Sequence, residues 1–244
     1  MDLGIDGKVA VVAASSRGLG RACAVSLARE GAKVVLSGRD EASLGETAAL
    51  IASDGGQVTS LVCDVTLPES PAELIAHACS VFGTVDIVIA NAGGPPQGKA
   101  LDVTDEALFE AVNGNFAASV RLITQALPYM TKNGWGRAVC ITSSSIFQAI
   151  ASIPMSNSAR IALWAWVKVA AREVAGSGIT LNLACPGTHG TERMAKLVSV
   201  GSPGDFPMGD PAKFGEVVAF LCSDQASYVN GAALVIDGGA SLAL

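Results

Sequence analysis

The run Ser15-Ser16-Arg17-Gly18-Leu19-Gly20 follows an apolar segment at Val9, Val11 and Val12 and precedes an amphipathic stretch that ends at Glu30-Gly31. Gly18 and Gly20 permit a tight turn and a close approach of backbone to a ligand. A helix opening there aims unpaired N–H groups and its positive dipole end at whatever lies over the turn, and a pyrophosphate suits that field. The chain returns to Val34-Val35-Leu36, so the turn sits in a βαβ context, which a dinucleotide site requires. A second group of residues with chemical potential lies further on. Ser143 ends Val139-Cys140-Ile141-Thr142, and Ser156 and Arg160, four apart, share one helix face. A serine hydroxyl can polarise a carbonyl, whereas a guanidinium holds oxygen atoms or anions but does not release a proton. His189, after Pro186-Gly187-Thr188, is read first as a loop histidine and second as an acid, while His77 reads as a surface or half-buried side chain. With only two histidines, spacing assembles no metal-ligand cluster.

Elements that position these residues alternate along the chain. Helix is expected over Asp40 to Ser53, Pro71 to Phe82, Thr104 to Lys132 as one long stretch, Ser156 to Ala175 and Lys213 to Ser223. Strands are expected at Val58 to Val62, Val85 to Ala90, Arg137 to Ile141, Thr180 to Leu183 and Ala233 to Ile236. The pattern gives one α/β domain over residues 1–244, a doubly wound parallel sheet of about seven strands with helices on both faces and ligands at the carboxyl ends of the strands. Thr191 to Asp210, punctuated by glycine and proline, reads as a lid over the site.

At 244 residues, half of them hydrophobic and 16% charged, the chain is greasier than an average soluble domain, which implies apolar surface buried between subunits. Ile161 to Val167 is apolar all round, so the helix carrying it is expected at a subunit contact together with the long stretch from Thr104 to Lys132. A net charge of −6 without a basic cluster argues against nucleic acid and against a membrane surface as partners. There is no apolar run of spanning length and no signal-peptide pattern at the start. Six scattered cysteines read as core residues of a reducing, cytoplasmic protein.

Taken together, Ala13-Ala14-Ser15-Ser16-Arg17-Gly18-Leu19-Gly20, Cys63-Asp64-Val65, Asn91-Ala92-Gly93, Asn115, Ser143, Asn182, Pro186-Gly187 and Asp237-Gly238-Gly239 resemble the short-chain dehydrogenase/reductase family, and within it the 3-oxoacyl carrier-protein reductases. The resemblance implies a Rossmann-type domain in a homotetramer acting on a carbonyl or secondary alcohol. It places Ser16, Arg17, Gly18, Leu19 and Gly20 on the phosphates, Asp64 and Val65 on the adenine, Asn91, Ala92 and Gly93 on the riboses, and Pro186, Gly187, Thr188 and Thr191 near the nicotinamide. Two departures stand out. Ala13-Ala14 replaces the family's Thr-Gly, which predicts a shifted turn and weaker binding. Its Tyr-x-x-x-Lys pair is absent, and the usual spacing lands on Ser156 and Arg160; Tyr129 and Tyr228 are remote in sequence.

Cofactor choice is read at the end of the second strand, Ser37-Gly38-Arg39. Gly38 stands where NAD-type members place Asp, and Arg17 and Arg39 give two cations and no carboxylate at that corner, so NADP(H) is expected over NAD(H). For the proton, Ser143, with Ser144 or Ser145, would polarise a carbonyl while a water held by Ser156, Arg160 and Asn115 delivers it. Arg160 could alternatively bind a substrate anion, and Asn157 and Gln148 could hydrogen-bond a substrate, although helix capping or a solvated position is the first reading of either. The competing reading is a catalytically inactive NADP(H)-binding sensor or assembly protein.

Overall fold

The computed structural model describes residues 2–192, 194–195 and 207–243. Most of the expected lid, Thr191 to Asp210, therefore lies outside the described residues. The first strand, β1 (Val9–Val12), is buried along its length, as a β-branched run must be at the centre of a parallel sheet. Its side chains divide with the pleat. Val9 and Val11 enter one apolar cluster, and Ala10 and Val12 enter the other, on the opposite face.

Helix α1 (Gly18–Arg29) leads to β2 (Lys33–Gly38), α2 (Glu41–Ser53) to β3 (Val58–Val62), and α3 (Ser70–Phe82) to β4 (Ile87–Ala90). After α4 (Asp105–Val112) and α5 (Ala118–Asn133) come β5 (Gly136–Ile141), α6 (Pro154–Glu173), β6 (Ile179–Pro186), α7 (Pro211–Leu221) and β7 (Ala233–Ile236). The seven strands pair in the order β3-β2-β1-β4-β5-β6-β7, all parallel. Strand order reverses direction between β1 and β4. That switch point opens a crevice at the carboxyl ends of the strands, where ligands of such sheets bind.

One expected element is corrected. The single helix over Thr104 to Lys132 is broken by a π turn at Asn113–Ala117, closed by the Ala118 amide donating to the Asn113 carbonyl. Asn113, Gly114 and Asn115 are all poor helix formers, so the α-helical ladder is weakest there. The extra residue in the turn buries Asn115, and such turns recur at functional sites. Pro186 also falls inside β6, which is longer than the expected Thr180 to Leu183.

Candidate active site

The glycine-rich turn lies at the end of β1, beside the switch point. Arg17 is the N-cap residue of α1 and makes no side-chain capping bond, so no N-cap side chain competes for the first-turn N–H groups. Gly20 is indispensable by packing. A Cβ there would stand 2.3 Å from the Ala14 carbonyl oxygen and 2.9 Å from Asn91 Nδ2. Ala14 itself adopts φ +47°, the one non-glycine residue with positive φ among the described residues. Its Cβ makes that conformation cost on the order of 1–2 kcal/mol. The turn stays closed because Asn91 Nδ2 donates to the Ala14 carbonyl at 3.2 Å and the Ala13 amide donates to Ile89 O at 3.0 Å. Asn91 thus ties the turn to the loop after β4 although Ala13 has no hydroxyl.

At the corner beyond β2, a Cβ on Gly38 would meet Ser16 Cβ and Oγ at 3.2 Å, so the bare glycine keeps this corner open. The expectation of two cations without a carboxylate is corrected here. Arg17 faces Asp40 Oδ1 at 3.7 Å and Glu192 Oε2 at 3.5 Å, and Arg39 faces Asp64 Oδ2 at 3.6 Å. Asp40 is drawn in because it caps α2, accepting from the Ser43 amide at 2.8 Å and from the Ser43 hydroxyl, and Ser43 Oγ in turn accepts from Arg17 Nη2 at 2.6 Å. The Ser43 hydroxyl and amide, with the nearby Arg17, hold the Asp40 carboxyl below its ordinary range. Asp64 is raised by partial burial, yet its bonds from Thr66 and the Arg39 charge leave it lower overall.

Leu19 packs on one core cluster, and Val65 and Ala92 on the other. A Cβ on Gly114, in the π turn, would lie 3.9 Å from the Gly93 carbonyl and from Thr66 Cγ2, so the loops after β3 and β4 meet the π turn. Thr191 approaches the glycine-rich turn, its Cγ2 3.5 Å from where a Gly18 Cβ would sit. Gly187 donates to Ile236 O at 3.0 Å, and Thr188 O accepts from Gly209 at 2.9 Å, fixing the segment after β6 against β7 and the strand-like pair His189–Gly209.

Ser143 sits just past β5, where its Oγ accepts from the Ser145 amide at 3.1 Å and starts a 3₁₀ turn, Ser144–Ile146. Helix α6 packs against both this turn and the π turn, bringing the elements of Ser143, Asn115 and Ser156 together. Ser156 is buried, and its Oγ accepts from Arg160 Nε at 3.0 Å. Arg160 Nη1 donates to the Ile141 carbonyl, at the end of β5, at 2.9 Å. Asn115 Nδ2 donates to Ala111 O at 3.3 Å. The hydroxyl of Ser145 is buried without a hydrogen-bond partner among the described residues.

Other candidates are taken up by the fold. His189 is buried, its Nδ1 3.2 Å from the Gly187 carbonyl and its ring edge-on to Phe214. His77 Nε2 pairs with Thr59 Oγ1 at 3.0 Å on the edge strand. Asn157 Nδ2 donates to Ile150 O at 2.9 Å, and Gln148 Oε1 accepts from the Leu242 amide at 3.0 Å, so both hold backbone. Tyr129 lies on α5 against Cys79 of α3, which raises its pKa, and Tyr228 is fully exposed. No cluster of three or more metal-ligating side chains occurs among the described residues. Sequence reading missed Asp40, Glu192 and Asn113. A capping Asp three residues before Ser43 was the available signal for Asp40, and a helix-weakening Asn-Gly-Asn for Asn113.

A parallel sheet with a glycine-gated helix N-terminus at its switch point defines a dinucleotide-binding protein of the Rossmann type. Residues 13–241 match the family model described as enoyl-(acyl carrier protein) reductase. The chain is 34% identical to bovine dehydrogenase/reductase SDR family member 4, over 96% of this chain and 88% of that protein. It is 32% identical to the 3-oxoacyl-[acyl-carrier-protein] reductase FabG of Pseudomonas aeruginosa, over 97% and 98% respectively. L-sorbose reductase from Gluconobacter frateurii, solved with NADPH and L-sorbose, superposes with a TM-score of 0.93 at 31% identity across 100% of both chains. The chain belongs to the short-chain dehydrogenase/reductase family, as an oxidoreductase-type member.

Proposed function

We propose that this protein is an NADP(H)-dependent oxidoreductase acting on a carbonyl or secondary alcohol, with a proton path built from serine hydroxyls and water rather than from a phenol. The observation that carries the reading is the Arg160–Ser156 bond at 3.0 Å, anchored to the end of β5 two residues before Ser143. Because Ser156 Oγ accepts from a cation, electron density is drawn from its oxygen and its own proton is the better donor. Ser143 supplies a donor for a substrate oxygen, and Ser145, whose hydroxyl is buried, supports it by donating its amide N–H to Ser143 Oγ. A water between Ser156 and that oxygen completes the path, replacing the reach that a phenol would have had, and Asn115 on the π turn bounds it.

The residues present suit the cofactor. Ser16, Arg17, Gly18, Leu19 and Gly20 would hold the pyrophosphate at an α1 terminus whose N-cap residue makes no side-chain cap, and the open Gly38 corner with Arg17 and Arg39 would receive a 2′-phosphate. Asp64 and Val65 would face the adenine, Asn91, Ala92 and Gly93 the riboses, and Pro186, Gly187, Thr188 and Thr191 the nicotinamide end. When bound, the reduced nicotinamide supplies hydride to the substrate carbon. NADP(H) preference rests on the missing acidic residue at Gly38, tempered by the carboxylates that share Arg17 and Arg39.

A homo-oligomer, most simply a tetramer, belongs to the same reading. Ile161 is 44% and Val169 60% exposed on α6, with Ala162 and Ala165 beside them, which leaves an uncovered apolar stripe on a single chain. The four fully buried cysteines fit a reducing cytoplasm. No helix among the described residues is long and apolar enough to cross a membrane.

The alternative, a cofactor-binding sensor or assembly protein without turnover, draws on the other end of the same arginine. Arg160 spends Nη1 on a backbone carbonyl, and that bond serves structure whether or not chemistry occurs. Fluorescence titration with NADPH and NADH, followed by a panel of ketones, 3-oxoacyl thioesters and oxo acids, separates the two. NADPH binding with turnover of any member supports the oxidoreductase. Binding without turnover supports the sensor, and no binding refutes both.

A further inference from the structure

We propose that Asn113 is a positioning residue that transmits occupancy of the adenine side of the cofactor site to the π turn at the catalytic side. This rests on the reading that the loop after β3 holds the adenine. Asn113 opens the π turn, and its amide makes two bonds of fixed sense. Arg121 Nη1 donates to Oδ1 at 2.7 Å, and Nδ2 donates to the Thr66 carbonyl at 2.9 Å. The amide has no choice of orientation, because a guanidinium only donates and a carbonyl only accepts.

Thr66 continues the chain of bonds. Its amide donates to Asp64 Oδ1 at 3.0 Å and its hydroxyl to the same oxygen at 2.7 Å, while Asp64 Oδ2 faces Arg39 at 3.6 Å. Arg39, Asp64, Thr66, Asn113 and Arg121 thus form one connected line from the corner beyond β2 to α5. Asn113 sits where that line enters the turn that carries Asn115, and Gly114 packs in the space bounded by Thr66 and Gly93. A ligand that fixes Asp64 and Arg39 also fixes Thr66, and through the Asn113 amide it fixes the register of the π turn. Binding energy gathered far from the reacting atoms would in this way be used to order the nicotinamide end. Coupling of this kind is typically worth 5- to 150-fold in affinity.

The test compares a ligand that fills only the adenine side with one that fills both. Asn113→Ala removes both bonds. Asn113→Asp keeps the acceptor for Arg121 but presents no donor to the Thr66 carbonyl, so it breaks the line at that one point. Affinities for 2′,5′-ADP and NADPH are measured by calorimetry, with the nicotinamide fluorescence of bound NADPH and the melting temperature of each apo variant. In both variants 2′,5′-ADP affinity is expected to stay within about twofold of the parent while NADPH affinity falls about tenfold and the fluorescence enhancement is lost. Equal weakening of the two ligands would overturn the inference by making Asn113 a merely structural residue, and so would unchanged NADPH affinity in either variant. A parent protein that binds neither ligand would overturn the cofactor reading and this inference with it.

Discussion

Arg160 bridges helix α6 to the sheet: its Nε donates to Ser156 Oγ at 3.0 Å and its Nη1 to the Ile141 carbonyl at 2.9 Å. Ser156 and Arg160 are therefore a fixed fork rather than two independent groups. Lysine cannot reproduce the two-pronged geometry. Arg160→Lys should lower the melting temperature by about 2–4 °C, on the order of one lost hydrogen bond, as read by differential scanning calorimetry.

Ser143 lies two residues past the end of β5, and its Oγ already accepts from the Ser145 amide, which presets its rotamer. Once a substrate is found, Ser143→Ala should reduce kcat by about 10²-fold while NADPH affinity stays within about twofold. Equal losses in binding and turnover would remove Ser143 from the proton and carbonyl chemistry.

Ala14 holds φ +47° against its own Cβ. Ala14→Gly should relieve roughly 1 kcal/mol, raising the melting temperature by about 2–4 °C and tightening NADPH binding. A lower melting temperature would mean that the alanine is favoured by packing not visible in the turn.

The carboxylates around Arg17 and Arg39 make cofactor preference tunable. Asp40→Asn keeps an N-cap for α2 but removes a charge beside the corner proposed for a 2′-phosphate, so NADPH affinity should rise several-fold with NADH unchanged. Arg39→Ala should act in the opposite sense, weakening NADPH about tenfold in fluorescence titrations.

Burial pushes the Cys140 thiol up to about 12 and that of Cys185 to about 11, and Cys222 is likewise raised to about 12. The unfolded chain ionises its thiols near pH ~8.5, so it sheds protons that the folded protein keeps. Stability from these groups is complete below that pH and declines as pH rises towards 11–12. Native protein at pH ~8 should therefore be alkylated by iodoacetamide only at the half-buried Cys63 and Cys79, and at all six cysteines after denaturation. Mass spectrometry of the labelled protein reads the difference.

Ile161 and Val169 lie exposed on one face of α6. Replacing Ile161 with Lys should dissociate the proposed oligomer, with light scattering shifting towards the mass of one chain. An unchanged mass would place any contact on another face.

What was legible in the sequence is what local rules control. The β-branched runs at Val9 to Val12 and Val34 to Leu36, the glycine turn between them and the order of strands and helices follow from periodicity and turn chemistry, which act over a few residues. The bare Gly38 corner and the Ser156–Arg160 spacing were legible for the same reason. The tertiary structure decided the rest. Asp40 and Glu192 both reach Arg17 from distant parts of the chain, Ile141 O captures Arg160 from nineteen positions away, and Asn113 meets Thr66 across forty-seven. Each of these contacts depends on which strand lies beside which in a parallel sheet, where every neighbour is separated by a crossover helix. The π turn belongs to the same category. A weak Asn-Gly-Asn stretch says only that a helix can yield there, and the Thr66 carbonyl and the Arg121 guanidinium waiting on either side determine how it yields.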